Sequence, residues 1–126
     1  MEGVVFSLRQ SLDIVRELGV PVTEIRATGG GARNPVWLQL QADIYGVPVT
    51  KMAVDEGPAY GATLLAGVAA GTFRDVAEAC ASVEVSGTFE PKPEHGKAYE
   101  QAYEVYRELY PKLRQSMHRL ATQAEQ

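Results

Sequence analysis

With Cys80 as its only cysteine, this 126-residue chain can form no internal disulfide and no cysteine-built metal cluster, which suits a reducing compartment. Histidine is almost as scarce: His95 and His118 lie in or beside a charged terminal segment, share no metal-ligand spacing with an acid, and read as surface residues. No metal site is expected. Long apolar runs are missing too. The least polar stretch, Ala59 to Phe73, carries three glycines and falls short of the ~20 residues a membrane span needs, so it reads as a buried helix and no membrane partner is expected. Met1 leads directly into interspersed acids and bases rather than a signal peptide, and the expected location is the cytoplasm. There is no basic excess either. The formal charge is -4, and because Glu94 to Gln126 balances five acids against five Lys/Arg, the whole excess sits in residues 1–93. Nucleic acid is therefore not an expected partner.

What is present is 45% hydrophobic and 22% charged, the balance of one globular domain over residues 1–126. Val4, Val5, Leu8, Leu12, Val15 and Leu18 recur at helical steps up to Gly19 and Pro21, predicting a helix with one apolar face. Residues 23–28 read as a strand. A second helix is predicted from Pro35 to Tyr45, with Asn34 as its N-cap, Trp37 anchoring it against the strands and Gly46 closing it. Residues 47–52 read as a second strand, placed near a sheet edge because Pro48 cannot donate to a ladder. Helical patterns return near Pro58 to Gly71 and over residues 74–81, followed by a strand at 83–89. Ala62, Ala66 and Ala70, four apart, leave one helix face small enough to lie flush on a neighbouring backbone. From Glu94 onward a helix carries a stripe of Tyr99, Tyr103, Tyr106 and Tyr110, read as a packed face with wet hydroxyls, and Pro111 is expected to kink or divide it. Cys80, among alanines, reads as a core thiol.

The segment that carries chemistry is Thr28-Gly29-Gly30-Gly31-Ala32-Arg33-Asn34-Pro35, a glycine elbow between strand and helix. Three residues without a Cβ let backbone approach something flat or bulky at an entropic cost. The spacing is neither the dinucleotide fingerprint nor a P-loop. A helix N-terminus attracts phosphate, but Pro35 removes one of its donors, which points to the nucleoside end of a nucleotide. Asn34 has an oxygen to cap the helix and an amide nitrogen to donate outward. Arg33 is either a solvated loop charge or a group reaching base or phosphate. A tight turn where helix and strand touch explains the same glycines without any ligand. Glu56, beside Asp55, reads as a helix-start charge. No paired carboxylates and no Ser-His-Asp set stand out, so no catalytic residue is assigned.

Four segments taken in order, Glu2 to Arg9, Gly29 to Trp37, Gln41 to Val49 and Glu56 to Ala62, resemble the C-terminal region of the FGGY carbohydrate kinases, in particular those acting on ketopentoses. The resemblance is dense up to Phe73 and looser in the tyrosine-rich tail. It implies an α/β, helix-rich fragment of a ribonuclease-H-like, actin-like ATPase domain, part of the ATP-binding lobe. It also implies that Gly29, Gly30, Gly31 and Asn34 contact ATP or ADP, with Arg33 on the same loop. Members of that family use Mg to move the γ-phosphoryl group of ATP to a sugar hydroxyl, with an aspartate as base. The sugar is then bound mainly by an N-terminal lobe with no counterpart in these residues, so the chain alone is expected to be inactive and to be a piece of a longer protein. Faces that met the absent lobe, on the first helix or along Ala62, Ala66 and Ala70, are expected to drive self-association. A free-standing nucleotide-binding or regulatory module and a non-binding scaffold are the alternatives.

Overall fold

The computed structural model describes residues 1–54 and 57–124. Among these, α1 (Glu2–Glu17) is followed by β1 (Ile25–Ala27), a 3-10 turn (Gly30–Arg33), α2 (Pro35–Tyr45), β2 (Val49–Met52), α3 (Gly57–Ala69), α4 (Val76–Ala81), β3 (Val85–Phe89) and α5 (Pro93–Ala124). Asp55 and Glu56 lie outside the described residues.

α2 is the spine of the core. Its sequence is apolar nearly all round, as a helix covered on several sides must be. Leu38, Ala42, Ile44 and Tyr45 are buried in it, α1 and α5 pack on it, and β2 lies beneath. Its two ends are as the residues dictate. Asn34 accepts from the Val36 and Trp37 amides, Pro35 takes the first helical position, and Gly46 turns left-handed with φ 68°. α1 also stops as its sequence specifies. Gly19 adopts φ 79°, its amide donates to the Arg16 carbonyl, and the Val20 amide donates to the Val15 carbonyl, a Schellman pair.

The sheet runs in the order β1-β2-β3, with β1 and β2 parallel across α2 and β3 antiparallel to β2. β2 is therefore the middle strand and not an edge. Pro48 lies one residue ahead of it and contributes only its carbonyl, which accepts from the Ile25 amide at 2.9 Å, so the donor that proline lacks is never required. Between Lys51 and Met52 the register slips, and the Ser86 hydroxyl donates to the carbonyls of both, at 3.3 and 3.2 Å. β1 is shorter than the predicted strand, three residues long.

Three further expectations are corrected. Cys80 is exposed; its neighbour Ala79 takes the inward position on α4, where one residue rotates the helix by about 100°. Pro111 does not divide α5, which continues through it. Tyr103 is buried, and its hydroxyl is not wet: it donates to Asp13 Oδ2 at 2.6 Å. Burial, reinforced by that hydrogen bond, pushes the Tyr103 hydroxyl up to about 12. Around it, Phe6 lies 5.7 Å from the Tyr103 ring and 5.5 Å from the Tyr106 ring, and the Arg9 guanidinium sits 4.0 Å over Tyr103. This aromatic layer fixes α5 across α1.

Two helices leave apolar surface uncovered. α3 buries no residue, and Ala62, Ala66 and Ala70 are all exposed rather than flush against a neighbour. On α1 only Val5 and Phe6 are buried, while Val4, Leu8, Ile14 and Leu18 remain exposed.

Candidate functional site

Where β1 ends, Thr28 leads into Gly29 at φ 78° and ψ -171°, a combination that essentially only glycine holds. The chain then tightens into the 3-10 turn. The Ala32 amide donates to the Gly29 carbonyl at 3.0 Å, the Asn34 amide donates to the Gly31 carbonyl at 3.3 Å, and the Ala32 methyl is buried. Asn34 Oδ1 closes the segment by accepting from the Val36 amide at 3.0 Å and the Trp37 amide at 3.3 Å. That cap uses the side-chain oxygen and leaves both amide hydrogens of Asn34 uncommitted by it.

The three glycines differ in their surroundings. Gly29 is required by its backbone angle. At Gly31 a Cβ would stand 3.4 Å from the Trp37 indole nitrogen, an ordinary van der Waals contact, so the residue lies against the tryptophan without being dictated by it. At Gly30 neither holds: its φ is not positive, and no described atom lies within 4 Å of where its Cβ would be. From the other side the start of α3 closes on the same loop. A Cβ on Gly57 would come closer to Thr28 Oγ1 than real Cβ contacts do, and within 3.2 Å of Thr28 Cγ2. The loop is thus held between α2 and α3.

All five residues singled out on the sequence, Gly29, Gly30, Gly31, Arg33 and Asn34, fall on this one turn. Arg33 is exposed, and beside it a cavity of about 270 Å³ is lined by Ala32, Arg33, Pro35, Leu38, Lys51 and Phe89, which adds a second cation from β2. Replacing Asn34 with alanine is expected to lower stability by about 1 kcal/mol through loss of the cap, measured by urea unfolding followed by circular dichroism.

A second polar cluster has no signature in local spacing. The Asp43 side chain, 4% exposed, accepts from Gln39 Nε2, the Lys92 amide and His95 Nδ1, each at 2.8 Å. Gln39 Nε2 also donates to the Glu90 carbonyl at 2.8 Å. Burial pushes the Asp43 carboxyl up, but the hydrogen bonds from His95, Lys92 and Gln39 outweigh it and hold the group below the ordinary carboxylate range. The role is structural: the cluster straps the β3–α5 connector to α2. His95 is thus not an isolated surface residue. The sequence signal for the cluster was an acid inside an otherwise apolar helix. No group of three or more metal-ligating side chains occurs among the described residues, and no helix there is long and apolar enough to cross a membrane.

The sequence profile of the FGGY family of carbohydrate kinases, C-terminal domain, matches residues 1–70, more than half of the chain. Among curated relatives, a xylulose kinase of Staphylococcus epidermidis is 40% identical over 117 residues, covering 91% of this chain and 23% of its own length. A ribulokinase of Mycolicibacterium smegmatis is 35% identical over 112 residues, covering 87% of this chain and 20% of its own. Among solved structures, a ligand-bound xylulose kinase from Lactobacillus acidophilus superposes with a TM-score of 0.87 at 25% identity, over 94% of this chain and 24% of that one. The chain thus spans about a quarter of the length of the kinases it matches, and its helix-rich fold is that of the actin-like, ribonuclease-H-like sugar kinases. On these grounds the chain belongs to the FGGY family of carbohydrate kinases, as a portion of the C-terminal domain.

Proposed function

We propose that this chain supplies the adenosine-facing wall of an ATP-dependent kinase that phosphorylates xylulose to xylulose 5-phosphate. The observation that carries the reading is Gly30, whose missing side chain is demanded neither by its backbone angle nor by any described neighbour. A flat group lying on the turn accounts for it: the cradle fits a purine face, because a Cβ there would hold the base away from the backbone. Gly29, Gly30 and Gly31 then present backbone to adenosine, Asn34 donates from its uncommitted amide hydrogens, and Arg33 adds positive charge at the rim. When bound, MgATP supplies the phosphoryl group that passes to a sugar hydroxyl. This chain's share is to bind and orient the nucleoside end, which is a positioning contribution.

The sugar contacts and the proton acceptor belong, in this reading, to the three quarters of the kinase length that the chain does not span. The names of the relatives favour xylulose over other sugars. The chain by itself is expected to show no xylulose phosphorylation in a coupled assay with MgATP, and to bind ADP weakly. Titration of labelled protein with ADP tests the site: amide shifts concentrated on residues 29–37 support it. Silence there, or shifts elsewhere, returns the glycines to a packing role.

A further inference from the structure

β2 is the middle strand, and the side chains of its inner face meet α2. Val49 is one of them, fully buried in the core. Two residues on, where a strand returns to the same face, stands Lys51, half-buried. The other lysines, Lys92, Lys97 and Lys112, are all exposed. In the register Lys51 lies between Ala27 on β1 and Gly87 on β3. Opposed residues share a face, so this lysine is flanked by a methyl group on one side and by no side chain on the other.

Glycine weakens a strand interior, and it belongs there where a bulge, a bend or a closely approaching group calls for it. Gly87 has no left-handed angle, and no described atom lies within 4 Å of where its Cβ would be. The adjacent bulge is taken up by Ser86, the residue left over as the register steps from the Lys51–Gly87 pair to the Met52–Val85 pair. Space beside Lys51 is therefore open. Lys51 also lines the cavity of about 270 Å³ at the glycine turn, where Leu38 and Phe89 are apolar walls, Arg33 is a second cation, and no acid takes part.

An ammonium group drawn into such a setting is unfavourable unless an opposite charge meets it. Among the described residues no ion pair or side-chain hydrogen bond reaches the Lys51 ammonium; only its carbonyl is engaged by a side chain, that of Ser86. We infer that Lys51, with Arg33 at the rim, holds a phosphate group in this notch. Phosphate carries enough acceptor oxygens to meet cations approaching from β2 and from the turn together. Two sources supply it, free inorganic phosphate and the phosphates of a nucleotide seated on the turn. The inference rests on Lys51 and goes beyond the adenosine reading, which rests on the glycines and Asn34.

The test titrates the whole labelled chain with inorganic phosphate against chloride at constant ionic strength, then with ADP and with adenosine, and repeats this with Lys51→Met and Lys51→Arg. Methionine keeps the stem and removes the charge, so Lys51→Met is expected to retain its helical circular dichroism and to unfold at no lower temperature in chloride. Arginine keeps the charge and should keep the response, which separates a lost charge from a lost fold. The expected result is a saturable set of phosphate shifts at Ala27, Lys51 and Gly87 with a thermal midpoint raised by phosphate. In Lys51→Met the apparent Kd should rise about tenfold or more. Shifts at these residues with ADP but not with phosphate alone also support the inference, with the nucleotide as source, if Lys51→Met weakens ADP and leaves adenosine unchanged. Phosphate shifts that scatter over the exposed lysines and arginines without saturating overturn it, as does silence at these residues with every probe. So does a Lys51→Met chain that binds phosphate and ADP as the unsubstituted chain does; if ADP still shifts residues 29–37, the adenosine reading stands and the role of Lys51 falls alone.

Discussion

Replacing Asp43 with alanine is expected to cost the fold about 3 kcal/mol, because it strips three donors of a buried, charged acceptor at one stroke. The Lys92 amide is left without its partner, and Gln39 keeps only the Glu90 carbonyl. Asparagine in the same place keeps the shape but loses the charge. That makes pH dependence the sharper readout. The Asp43 carboxyl lies lower in the folded chain than in the unfolded one, so its contribution is fully present above the unfolded value near 4 and disappears as pH falls through the folded value. Urea unfolding between pH 7 and pH 2.5 should show the native chain losing stability on the acid side of about pH 4 by more than Asp43→Asn loses. Parallel curves for the two proteins would show that the carboxylate is not ionised in the cluster.

The second large effect is expected at the meeting of α3 and the glycine turn. Gly57→Ala forces a methyl group into Thr28, whose Oγ1 and Cγ2 must turn away about the single rotor that carries them while Cβ stays 3.3 Å off. Overpacking of this kind costs about 2 kcal/mol. The cost should be coupled to its cause: in the Thr28→Ala background the same substitution should lose about half of its penalty, since Oγ1 and Cγ2 are gone and only Cβ remains near, at 3.3 Å. Additive losses in the double variant would place the strain elsewhere. If the turn faces adenosine as proposed, Gly57→Ala should also reduce the ADP-induced shifts on residues 29–37, although Gly57 is not on the turn.

How far the sequence could be read depended on the range of the interaction. Asn34, Pro35 and Gly46 specify the limits of α2 through neighbours two to four residues away, and the structure places them as cap, first helical residue and left-handed terminus. The glycine turn was legible for the same reason, and the family resemblance placed it in a sugar kinase. The position of β2 in the sheet was not. Pro48 says only that one amide is missing, and that amide happens to lie outside the ladder. Cys80 and Ala79 differ by one position on a helix of six residues, too short for the apolar pattern to choose between them. The Asp43–His95 pair joins residues 52 apart, and the Tyr103–Asp13 hydrogen bond joins residues 90 apart, so neither leaves a trace in local spacing. The separate surroundings of Gly29, Gly30 and Gly31 also needed coordinates, because one string of three identical letters conceals a left-handed torsion, an open surface and a neighbouring tryptophan.

α2 is fastened along its whole length. Asn34 secures its first turn, Gln39 ties its middle to the connector through the Glu90 carbonyl, and in its last turn Asp43 accepts from the Lys92 amide while Arg16 Nη2 donates to the Tyr45 carbonyl at 2.8 Å. α3, which shares the glycine turn with it, buries nothing. Mechanically, the turn therefore stands on an anchored support at α2, while its other neighbour, α3, meets it at Gly57 against Thr28 and packs on α4 with its apolar face open.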